Sequence, residues 1–304
     1  MIKKVLIAPS TFCVYDQAPL ELLREKGFEI VDNPYKRRLT RVEVVELLSS
    51  GITGIIAGLE PLDRDVLGKV SLKVISRCGS GLSNVDLDAA KELGVQVCYT
   101  PNGPTIAVAE LTIGALLALL RKISLMDADL HAGKWSKETG RQLQGKTVAI
   151  VGFGRIGRKV AQLLKGFEVN LIAVDPQLEG NVEGVEIVDL EVALKCADII
   201  SLHCSGEQEL LSEKEFSLIK KGAFLLNVAR GSLVNEQALI KALDNGKIEG
   251  AWLDTFSTEP YKGDLIKYPQ VLLTPHVGSY AIEGRKTMEM EAVTNLICAF
   301  KEIS

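Results

Sequence analysis

The sequence is poor in the residues that bind metal ions or cross-link secreted proteins. Its 304 residues contain three histidines and six cysteines, and the cysteines form no CxxC pair and no metal-ligand spacing with the histidines. We therefore expect no metal centre. Cysteines without a pairing pattern are typical of a reducing compartment, so we expect a cytoplasmic protein.

Long hydrophobic runs and basic clusters are also scarce. The longest apolar stretch, from Ile106 to Leu120, contains Glu110. It is shorter than the roughly 20 residues that cross a bilayer, so it predicts a buried helix. The formal net charge is -4 and the basic residues are scattered, whereas proteins that bind nucleic acids concentrate positive charge on one surface. These features argue against membrane and nucleic-acid functions and favour a small-molecule ligand.

Short runs of β-branched residues alternate with helical patterns along the chain, as in parallel sheets flanked by helices. One such series fills the first hundred residues. After the loop TPNGP and a long apolar helix from about Thr105 to Ile123, a denser series begins at KTVAIVGFG and includes NLIAVD and EIVDL as strands. The sequence therefore predicts an α/β protein with two doubly wound parallel-sheet domains, Rossmann-like or flavodoxin-like in type.

The last stretch of the chain, from about Tyr280 to Phe300, predicts a terminal helix. Its apolar residues recur on one helical face. They are Met288, Met290, Val293, Leu296, Ile297 and Phe300. Periodicity alone leaves open which of the two domains this helix packs on.

A glycine-rich motif links the first strand of the second series to the following helix. Gly152, Gly154 and Gly157 occur in GKTVAIVGFGRIGRKVA, and Asp175 ends the next strand, eighteen residues after the third glycine. This spacing is the dinucleotide-binding fingerprint, in which the glycines permit a tight turn, close approach of the pyrophosphate and helix–strand packing. A carboxylate at Asp175 accepts both ribose hydroxyls of NAD but repels the 2′-phosphate of NADP. We therefore expect NAD as the cofactor.

Three motifs that follow late strands supply candidate catalytic residues. NVARG contains Arg230, whose planar guanidinium suits a carboxylate, LDTFSTEP contains Glu259, and TPHVGS contains His276, which can pass a proton near neutral pH. Reduction of a 2-oxo acid requires such an anion binder, an acid–base group and a carboxylate that orients it. A methyltransferase would share the glycines and the acidic residue but not the combination of Arg230, Glu259 and His276. His131 and His203 are expected to be structural.

The sequence resembles the D-2-hydroxyacid dehydrogenase family over almost its whole length, in particular the branch that includes D-3-phosphoglycerate dehydrogenases. The resemblance lies in RCGSGLSNVDLDAA, GVQVCYTPNGPTIAVAELT, AGKWSKETGRQLQGKTVAIVGFGRIGRKVA, NVARGSLVNEQAL, LDTFSTEP and TPHVGS. It implies a substrate domain of residues 1–102 and 280–304, with an NAD-binding Rossmann domain of residues 103–279 inserted in it. It also implies a short form without a regulatory domain, action on a small D-2-hydroxy or 2-oxo acid, and a homodimer formed through the NAD domain.

The resemblance also implies roles for individual residues. In the implied mechanism Arg230 holds the substrate carboxylate, His276 gives or takes the proton, and Glu259 favours the cationic form of His276. Ser80 and Gly81 belong to the implied substrate site together with Arg230 and His276. The implied contacts to NAD are Gly152, Gly154, Arg155, Ile156, Gly157, Asp175, Cys204, Ser205, Val228, Ala229, Arg230, Asp254, His276 and Gly278.

Departures from the family pattern leave the substrate open. Phosphoglycerate dehydrogenases often carry an arginine after the strand equivalent to GIIAG, where this chain has Ala57, Gly58 and Leu59. A 3-phosphoglycerate-like acid, hydroxypyruvate and glyoxylate are therefore all candidates. Glu259 stands where formate dehydrogenases of the family have glutamine, which argues against formate. Two alternative functions are a regulatory protein that senses NAD or NADH and an oxidoreductase acting on a phosphonate or phosphite.

A basic cluster provides one hypothesis for the substrate tail. Lys36, Arg37 and Arg38 are adjacent, and an anionic tail would be attracted to them. A solvated loop is the commoner role of such a cluster.

Overall fold

The computed structural model describes residues 3–206 and 208–303. Backbone contacts divide the chain into two compact units, Met1–Thr105 with Ser279–Ser304, and Ile106–Gly278. The first unit is therefore built from both ends of the chain, and the second is one continuous segment. The sequence predicts boundaries after residues 102 and 279, a few residues from these positions.

The first unit contains a parallel sheet. Its elements in the first hundred residues are β1 (Lys3–Ile7), α1 (Ala18–Glu25), β2 (Phe28–Asp32), α2 (Arg41–Leu48), β3 (Gly54–Ala57), α3 (Arg64–Leu67), β4 (Val74–Arg77), α4 (Leu87–Glu92) and β5 (Gln96–Tyr99). The strand order is β2-β1-β3-β4-β5, and every residue of β3 and β4 is buried. Such apolar strands are typical of a parallel sheet covered on both faces.

Polar side chains fix where three of these helices begin. Thr40 and Glu43 form a capping box at the start of α2. Asp63 and Asp86 each accept a hydrogen bond from the backbone N–H three residues ahead, which starts α3 and α4. Each cap satisfies an N–H group that the helix itself leaves without a partner.

The second unit contains a larger sheet. Its elements are α5 (Gly103–Leu120, which begins in the first unit), α6 (Ile123–His131), β6 (Thr147–Val151), α7 (Arg155–Leu164), β7 (Asn170–Val174), β8 (Asn181–Val182), β9 (Val185–Ile187), α8 (Leu190–Cys196), β10 (Ile199–Leu202), α9 (Glu213–Leu218), β11 (Ala223–Asn227), α10 (Glu236–Asp244), β12 (Ile248–Leu253) and β13 (Val271–Leu273). The strand order is β13-β12-β11-β10-β6-β7-β9-β8. The winding reverses beside β6, and such sheets bind ligands at the carboxyl edge of that reversal. The two doubly wound sheets confirm the predicted α/β fold class.

One edge of this sheet departs from the predicted parallel arrangement. The sequence predicts EIVDL as a single strand, but β9 ends at Ile187 and pairs antiparallel with β8. Glu183 and Gly184, which join these two strands, have φ values of 55° and 83°. Positive φ at both central residues is the geometry of a tight hairpin turn. The turn therefore adds an antiparallel edge strand, and Leu190 begins α8 instead of ending a strand.

The long apolar helix predicted from about Thr105 to Ile123 corresponds to α5, which ends at Leu120. Lys122 has a left-handed φ of 52° between α5 and α6. By length and composition, α5 is the one helix in the described part of the chain that could cross a membrane, but 56% of it is buried inside the protein. Its buried side chains join the core that contains Phe153 and Trp252, as the sequence predicts for a core helix.

The C-terminal helix α11 (Ile282–Glu302) packs in the core of the first unit. A Cβ on Gly54 of β3 would lie 2.7 Å from Cε2 of Phe300, so the helix and the strand meet where the strand has no side chain. The predicted apolar face is buried except at Met290, which is half-buried. Glu289 takes the buried place beside it because Arg285 neutralises its charge, with Nη2 and Oε1 2.6 Å apart.

Leu296 tests how much α11 stabilises the first unit. Its side chain is fully buried, with 0% exposed. We expect Leu296→Ala to lower the free energy of unfolding by about 2–5 kcal/mol, because it leaves a cavity that the surroundings fill only in part. Urea unfolding measures this difference. Ile282→Ala, at the exposed start of the same helix, should change it by less than about 0.5 kcal/mol, and equal losses in both variants would contradict the prediction.

Candidate active site

A glycine-rich turn joins β6 to α7 at the carboxyl edge of the second sheet. Gly152 has a φ of +93°, and a Cβ there would lie 2.4 Å from the backbone nitrogen of Cys204. A Cβ on Gly157 would lie 2.2 Å from the carbonyl oxygen of Gly152. Gly154 differs, because a Cβ there would meet no atom within 4 Å. Close backbone packing therefore requires two of the glycines, and the third borders open space.

That open space lies at the N-terminus of α7. Gly154 is the N-cap residue, and no side chain caps the helix. Arg155 follows as an exposed residue and Ile156 as a half-buried one. The first N–H groups of a helix left in this way, together with the helix dipole, form a binding site for an anion such as a pyrophosphate.

Two further predicted cofactor residues follow β10. Cys204 is half-buried and lies against Gly152 through its backbone, and Ser205 is exposed. Because β10 and β6 are neighbours in the sheet, their carboxyl ends deliver these residues and the glycine turn to the same edge.

Asp175 follows β7 and is tied to the glycine turn. Its Oδ2 accepts a hydrogen bond from the backbone N–H of Phe153 at 2.9 Å, and its Oδ1 accepts one from Gln177 at 3.0 Å. These bonds fix the carboxylate, and each oxygen keeps a lone pair for another donor. The residues present thus fit a dinucleotide: an uncapped helix N-terminus suits the pyrophosphate, and a fixed carboxylate suits the ribose hydroxyls.

His276 and Glu259 form the predicted pair at the same edge. Glu259 lies in the loop after β12, and His276 lies in the loop after β13. The Nδ1 atom of the imidazole is 3.0 Å from Oε2 and 3.1 Å from Oε1 of Glu259. The side chains are 35% and 25% exposed, so both are open to a small ligand. Phe256 donates its backbone N–H to Oε1 at 3.2 Å, which holds the carboxylate in place.

Arg230 lies in the loop after β11, which packs against the Glu259 loop. A Cβ on Gly231 would lie 2.0 Å from the carbonyl carbon of Phe256, so the two backbones are in direct contact. Nη1 of Arg230 donates to the carbonyl oxygen of Ala229 at 2.7 Å. This bond orients the guanidinium and leaves its Nε and Nη2 donors, within the described residues, for an anion.

Asp254 lies between the predicted cofactor residues of this edge. Its Oδ2 accepts the backbone N–H of Gly278 at 2.8 Å, and its Oδ1 accepts that of Val277 at 2.9 Å. A Cβ on Gly278 would lie 3.4 Å from Cγ2 of Val228, so Val228 and Gly278 are also close together. The structure thus brings the loops after β11, β12 and β13 into one group.

Sequence reasoning missed two residues that contact this group, Trp252 and Thr274. The indole N–H of Trp252 donates to Oγ1 of Thr274 at 2.9 Å, and that hydroxyl is 2.6 Å from Oδ1 of Asp254. The signal available in the sequence is a tryptophan inside a buried strand, because a buried indole N–H usually has a partner. The sequence does not show which residue is that partner.

The other two histidines stand apart from this arrangement. His131 is exposed on α6, 3.6 Å from Asp127. His203 follows β10, and its Nε2 is 2.8 Å from Oγ of Ser201. Its Nδ1 atom is buried and has no hydrogen-bond partner in the described part of the chain. Burial lowers the pKa of His203 to about 4, so this imidazole is neutral at physiological pH.

The predicted substrate residues Ser80 and Gly81 belong to the first unit. They lie in the loop after β4, which Thr100 anchors by accepting the backbone N–H of Gly79 on its Oγ1 at 2.7 Å. The hypothetical tail-binding Arg37 is instead bound to Glu43, with Nη2 and Oε1 2.6 Å apart. That ion pair belongs to the start of α2, and the Arg37 side chain in it is 53% exposed, so the tail hypothesis for Lys36, Arg37 and Arg38 stays a prediction.

The chain is similar to known proteins along most of its length. Residues 113–278 match the family model described as D-isomer specific 2-hydroxyacid dehydrogenase, NAD binding domain. The chain is 36% identical over 301 residues to the chloroplastic D-3-phosphoglycerate dehydrogenase 3 of Arabidopsis thaliana, covering 94% of this chain and 50% of that one. It is 38% identical over 258 residues to a glyoxylate reductase of Thermofilum pendens, covering 80% and 76%. The solved structure of the TT0316 protein from Thermus thermophilus superposes with a TM-score of 0.89, at 33% identity, covering 98% and 97%.

The fold and the glycine turn define a dinucleotide-binding protein built from two doubly wound sheets. The chain belongs to the D-isomer specific 2-hydroxyacid dehydrogenase family, and its cofactor is NAD. The resemblance and the cofactor predicted from the sequence are confirmed. The chain spans about half the length of the phosphoglycerate dehydrogenases that it matches.

Asp175 tests the cofactor site. Asp175→Ala removes a charged acceptor, so we expect NADH to bind roughly tenfold to a hundredfold more weakly and the preference over NADPH to narrow. Asp175→Asn keeps an oxygen for the Phe153 N–H but removes the charge that repels a 2′-phosphate. It should narrow the preference by strengthening NADPH binding.

Fluorescence titration of both nucleotides measures these dissociation constants. The exposed Glu186→Gln in β9 is the control and should leave both unchanged. If the ratio of the dissociation constants for NADH and NADPH were unchanged in both Asp175 variants, a contact between Asp175 and the ribose would be contradicted.

Proposed function

We propose that this protein is an oxidoreductase that transfers a hydride between NAD and C2 of a small D-2-hydroxy or 2-oxo acid. In this proposal the unit 106–278 binds NAD. The observation that carries the proposal is the contact of His276 Nδ1 with Glu259 at 3.0 Å. This pair follows strands of the same sheet as Arg230 and the glycine turn, and the Arg230 and Glu259 loops are in contact.

Arg230 binds the carboxylate of the substrate. Its guanidinium is oriented by the bond to the Ala229 carbonyl, and the remaining donors form the planar fork that matches a carboxylate. A group that also donates to the 2-oxo oxygen polarises the carbonyl and makes C2 a better hydride acceptor. A fixed carboxylate end sets which face of C2 is exposed to the cofactor, which is the basis for selecting the D isomer.

His276 transfers the proton. In the reductive direction the imidazolium donates a proton to the 2-oxo oxygen, and in the oxidative direction the neutral imidazole accepts one from the hydroxyl. Because Glu259 engages Nδ1, Nε2 is the nitrogen left to face the substrate. Glu259 orients the ring and stabilises its positive charge.

The chain holds NAD through the glycine turn, the start of α7 and Asp175, and the nicotinamide supplies the hydride or accepts it. Asp175 fixes the adenosine end of the cofactor. Asp175 and His276 follow β7 and β13, which are strands of one sheet, so the sheet would keep the residues that hold the cofactor at a fixed separation from the acid–base group. A rigid sheet is suited to this purpose because hydride transfer is sensitive to small errors in distance.

The substrate is a short acid without a second anionic group. The loop after β3 supplies Gly58 and Leu59 but no cation, and the next residue, Glu60, is a buried carboxylate at 1% exposure. Burial raises the pKa of Glu60, and its Oε1 accepts the backbone N–H of Gly58 at 2.8 Å. The loop itself supplies no cation to a phosphate-bearing tail, and the positive charges of Arg77 and Arg38 act on the Glu60 carboxyl. We therefore propose glyoxylate or hydroxypyruvate as the substrate ahead of phosphohydroxypyruvate.

Loss of NADH absorbance with a panel of 2-oxo acids tests the activity. We expect the chain to reduce glyoxylate or hydroxypyruvate and to act less well on phosphohydroxypyruvate and phosphonopyruvate. His276→Asn should lower kcat by about a hundredfold to ten-thousandfold because it removes the acid–base group. Arg230→Ala should lower kcat/KM by a similar factor because it removes a charge-assisted pair of hydrogen bonds.

The matched pair for the orienting carboxylate is Glu259→Gln and Glu191→Gln. Glu191 lies on the exposed surface of α8, so its variant should keep the activity of the original chain. A chain that binds NADH but reduces none of the acids would contradict the proposed function and favour an NADH sensor. Full activity in the His276 variant would contradict the proposed mechanism.

We also propose that the protein is a homodimer formed through the second unit, as the family resemblance implies. Helix α6 buries none of its residues, although it is apolar in part. Ile123 and Leu130 of this helix are 52% and 57% exposed, and Trp135 in the following segment is 81% exposed. We call these three residues the α6 surface. Large exposed apolar side chains are characteristic of protein interfaces, and a second copy of the chain is the proposed occupant.

Light scattering after size-exclusion chromatography tests the dimer. The original chain should elute with twice the chain mass, and Leu130→Asp combined with Trp135→Asp should elute with the mass of one chain. Val192→Asp on α8, where the residue is 50% exposed, is the control and should remain dimeric. A monomeric original chain, or a double variant that stays dimeric, would contradict this assignment.

The proposed location is the reducing cytoplasm. All six cysteines are free thiols in the structure, and burial raises the pKa of Cys13 and Cys78 to about 12, so these two are unreactive. A thiol-rich chain of this kind is typical of a cell compartment that does not form disulfides.

A further inference from the structure

The turn that carries His276 has an unfavourable backbone conformation. His276 has a φ of +55°, in the left-handed region that residues with a Cβ rarely adopt. Its own N–H donates to the carbonyl oxygen of Thr274 at 3.0 Å, which closes a tight loop. A strained residue of this kind persists only when its surroundings hold it, so the contacts of residues 274–278 determine where the imidazole lies.

Asp254 provides those contacts. It is 1% exposed, and it accepts hydrogen bonds from Val277 N, Gly278 N and the hydroxyl of Thr274, at 2.9, 2.8 and 2.6 Å. These donors lie on both sides of His276 in the sequence. One buried side chain therefore holds the turn at both ends.

The hydroxyl of Thr274 has a fixed direction because of Trp252. An indole N–H can only donate, and it donates to Thr274 Oγ1 at 2.9 Å. The hydroxyl accepts this bond, and its single hydrogen then points to Asp254 Oδ1. The three residues form a polarised chain from indole to hydroxyl to carboxylate, in which each bond strengthens the next.

The same hydrogen bonds also act on the pKa of Asp254, against the larger effect of burial, which raises it. The Thr274 hydroxyl and the two backbone N–H groups each act to lower this pKa. A protonated Asp254 would carry a hydrogen on one oxygen and would lose a bond to the turn. The buried charge is therefore compensated by donors that also define the backbone around His276.

We infer that Trp252 and Thr274 are positioning residues for His276, acting through Asp254 on the turn 274–278. The inference rests on the proposed function for its catalytic meaning, but the hydrogen-bonded chain itself is independent of any substrate. Neither residue touches the reacting atoms. Trp252 is fully buried, at 0% exposure, in the core next to α5.

Thr274 offers a matched pair of substitutions. Thr274→Val keeps the shape but removes the hydroxyl, and Thr274→Ser keeps the hydroxyl but removes the methyl group. We expect Thr274→Val to lower kcat by about tenfold to a hundredfold, because a displacement of about 1 Å can cost a hundredfold. The glycine turn and Asp175 follow β6 and β7, so the loss of NADH affinity should be smaller than the loss of kcat, at less than about tenfold. Thr274→Ser should restore kcat to within about threefold of the original chain.

The indole signals provide a readout that needs no substrate. The chain has two tryptophans, and Trp135, at 81% exposure, serves as an internal control. In 1H–15N spectra the Nε1–H signal of Trp252 should shift in Thr274→Val and stay in place in Thr274→Ser, with that of Trp135 unchanged in both. Ring signals of His276 should follow the same pattern. Trp252→Phe, which deletes the N–H donor, should lower kcat as Thr274→Val does.

The outcomes separate this inference from the proposed function. Wild-type kcat in Thr274→Val would overturn the inference, and so would a loss in Thr274→Ser as large as in Thr274→Val, because the methyl group would then be responsible. If the original chain reduces no 2-oxo acid, the proposed function fails and the His276 ring signals decide the inference. The inference is supported if the His276 ring signals differ from those of the original chain in Thr274→Val but not in Thr274→Ser. It is overturned if the two variants give the same His276 ring signals.

Discussion

The second unit depends on how closely its loops approach one another at the carboxyl edge of the sheet. At Gly152 a side chain would overlap the backbone of Cys204, and at Gly231 it would overlap the backbone of Phe256, at 2.4 and 2.0 Å. A residue with a Cβ at either place would force two loops apart. The residues with proposed roles would move with those loops. Backbone contacts therefore set the spacing of the site, and side-chain bonds refine it.

The carboxylates of Asp254 and Glu259 both lie close to the His276 turn, but in different surroundings. Asp254 is almost fully buried and its oxygens receive three donors. A buried charge is tolerated only when hydrogen bonds of this kind replace water. Glu259 is 25% exposed, so water reaches its carboxylate, and the same carboxylate faces Nδ1 of the imidazole. Asp254 thus holds the backbone of the turn through hydrogen bonds, and Glu259 contacts the imidazole ring.

Much of this could be predicted from the sequence because the information was local. The spacing of Gly152, Gly154, Gly157 and Asp175 specifies a strand, a turn and a helix, and the structure has them in that order. Predicting that His276 contacts Glu259 required several motifs to occur together in the sequence. The bond from Trp252 to Thr274 could not be predicted, since its partners are brought together by the pairing of β12 and β13. The edge hairpin at Glu183 was missed for a different reason: a non-glycine residue with positive φ leaves little trace in hydrophobic patterns.

The histidines at the ends of β10 and β13 show how surroundings assign chemistry. Nε2 of His203 is hydrogen-bonded to the hydroxyl of Ser201, its Nδ1 has no hydrogen-bond partner among the described residues, and burial lowers its pKa to about 4. The ring is therefore neutral at physiological pH. His276 has a carboxylate on Nδ1 and is 35% exposed, so a positive charge on its ring is both compensated and solvated. The two imidazoles follow strands of one sheet. Because His276 has a carboxylate at its ring nitrogen and His203 has none, the acid–base role we propose falls to His276 and not to His203.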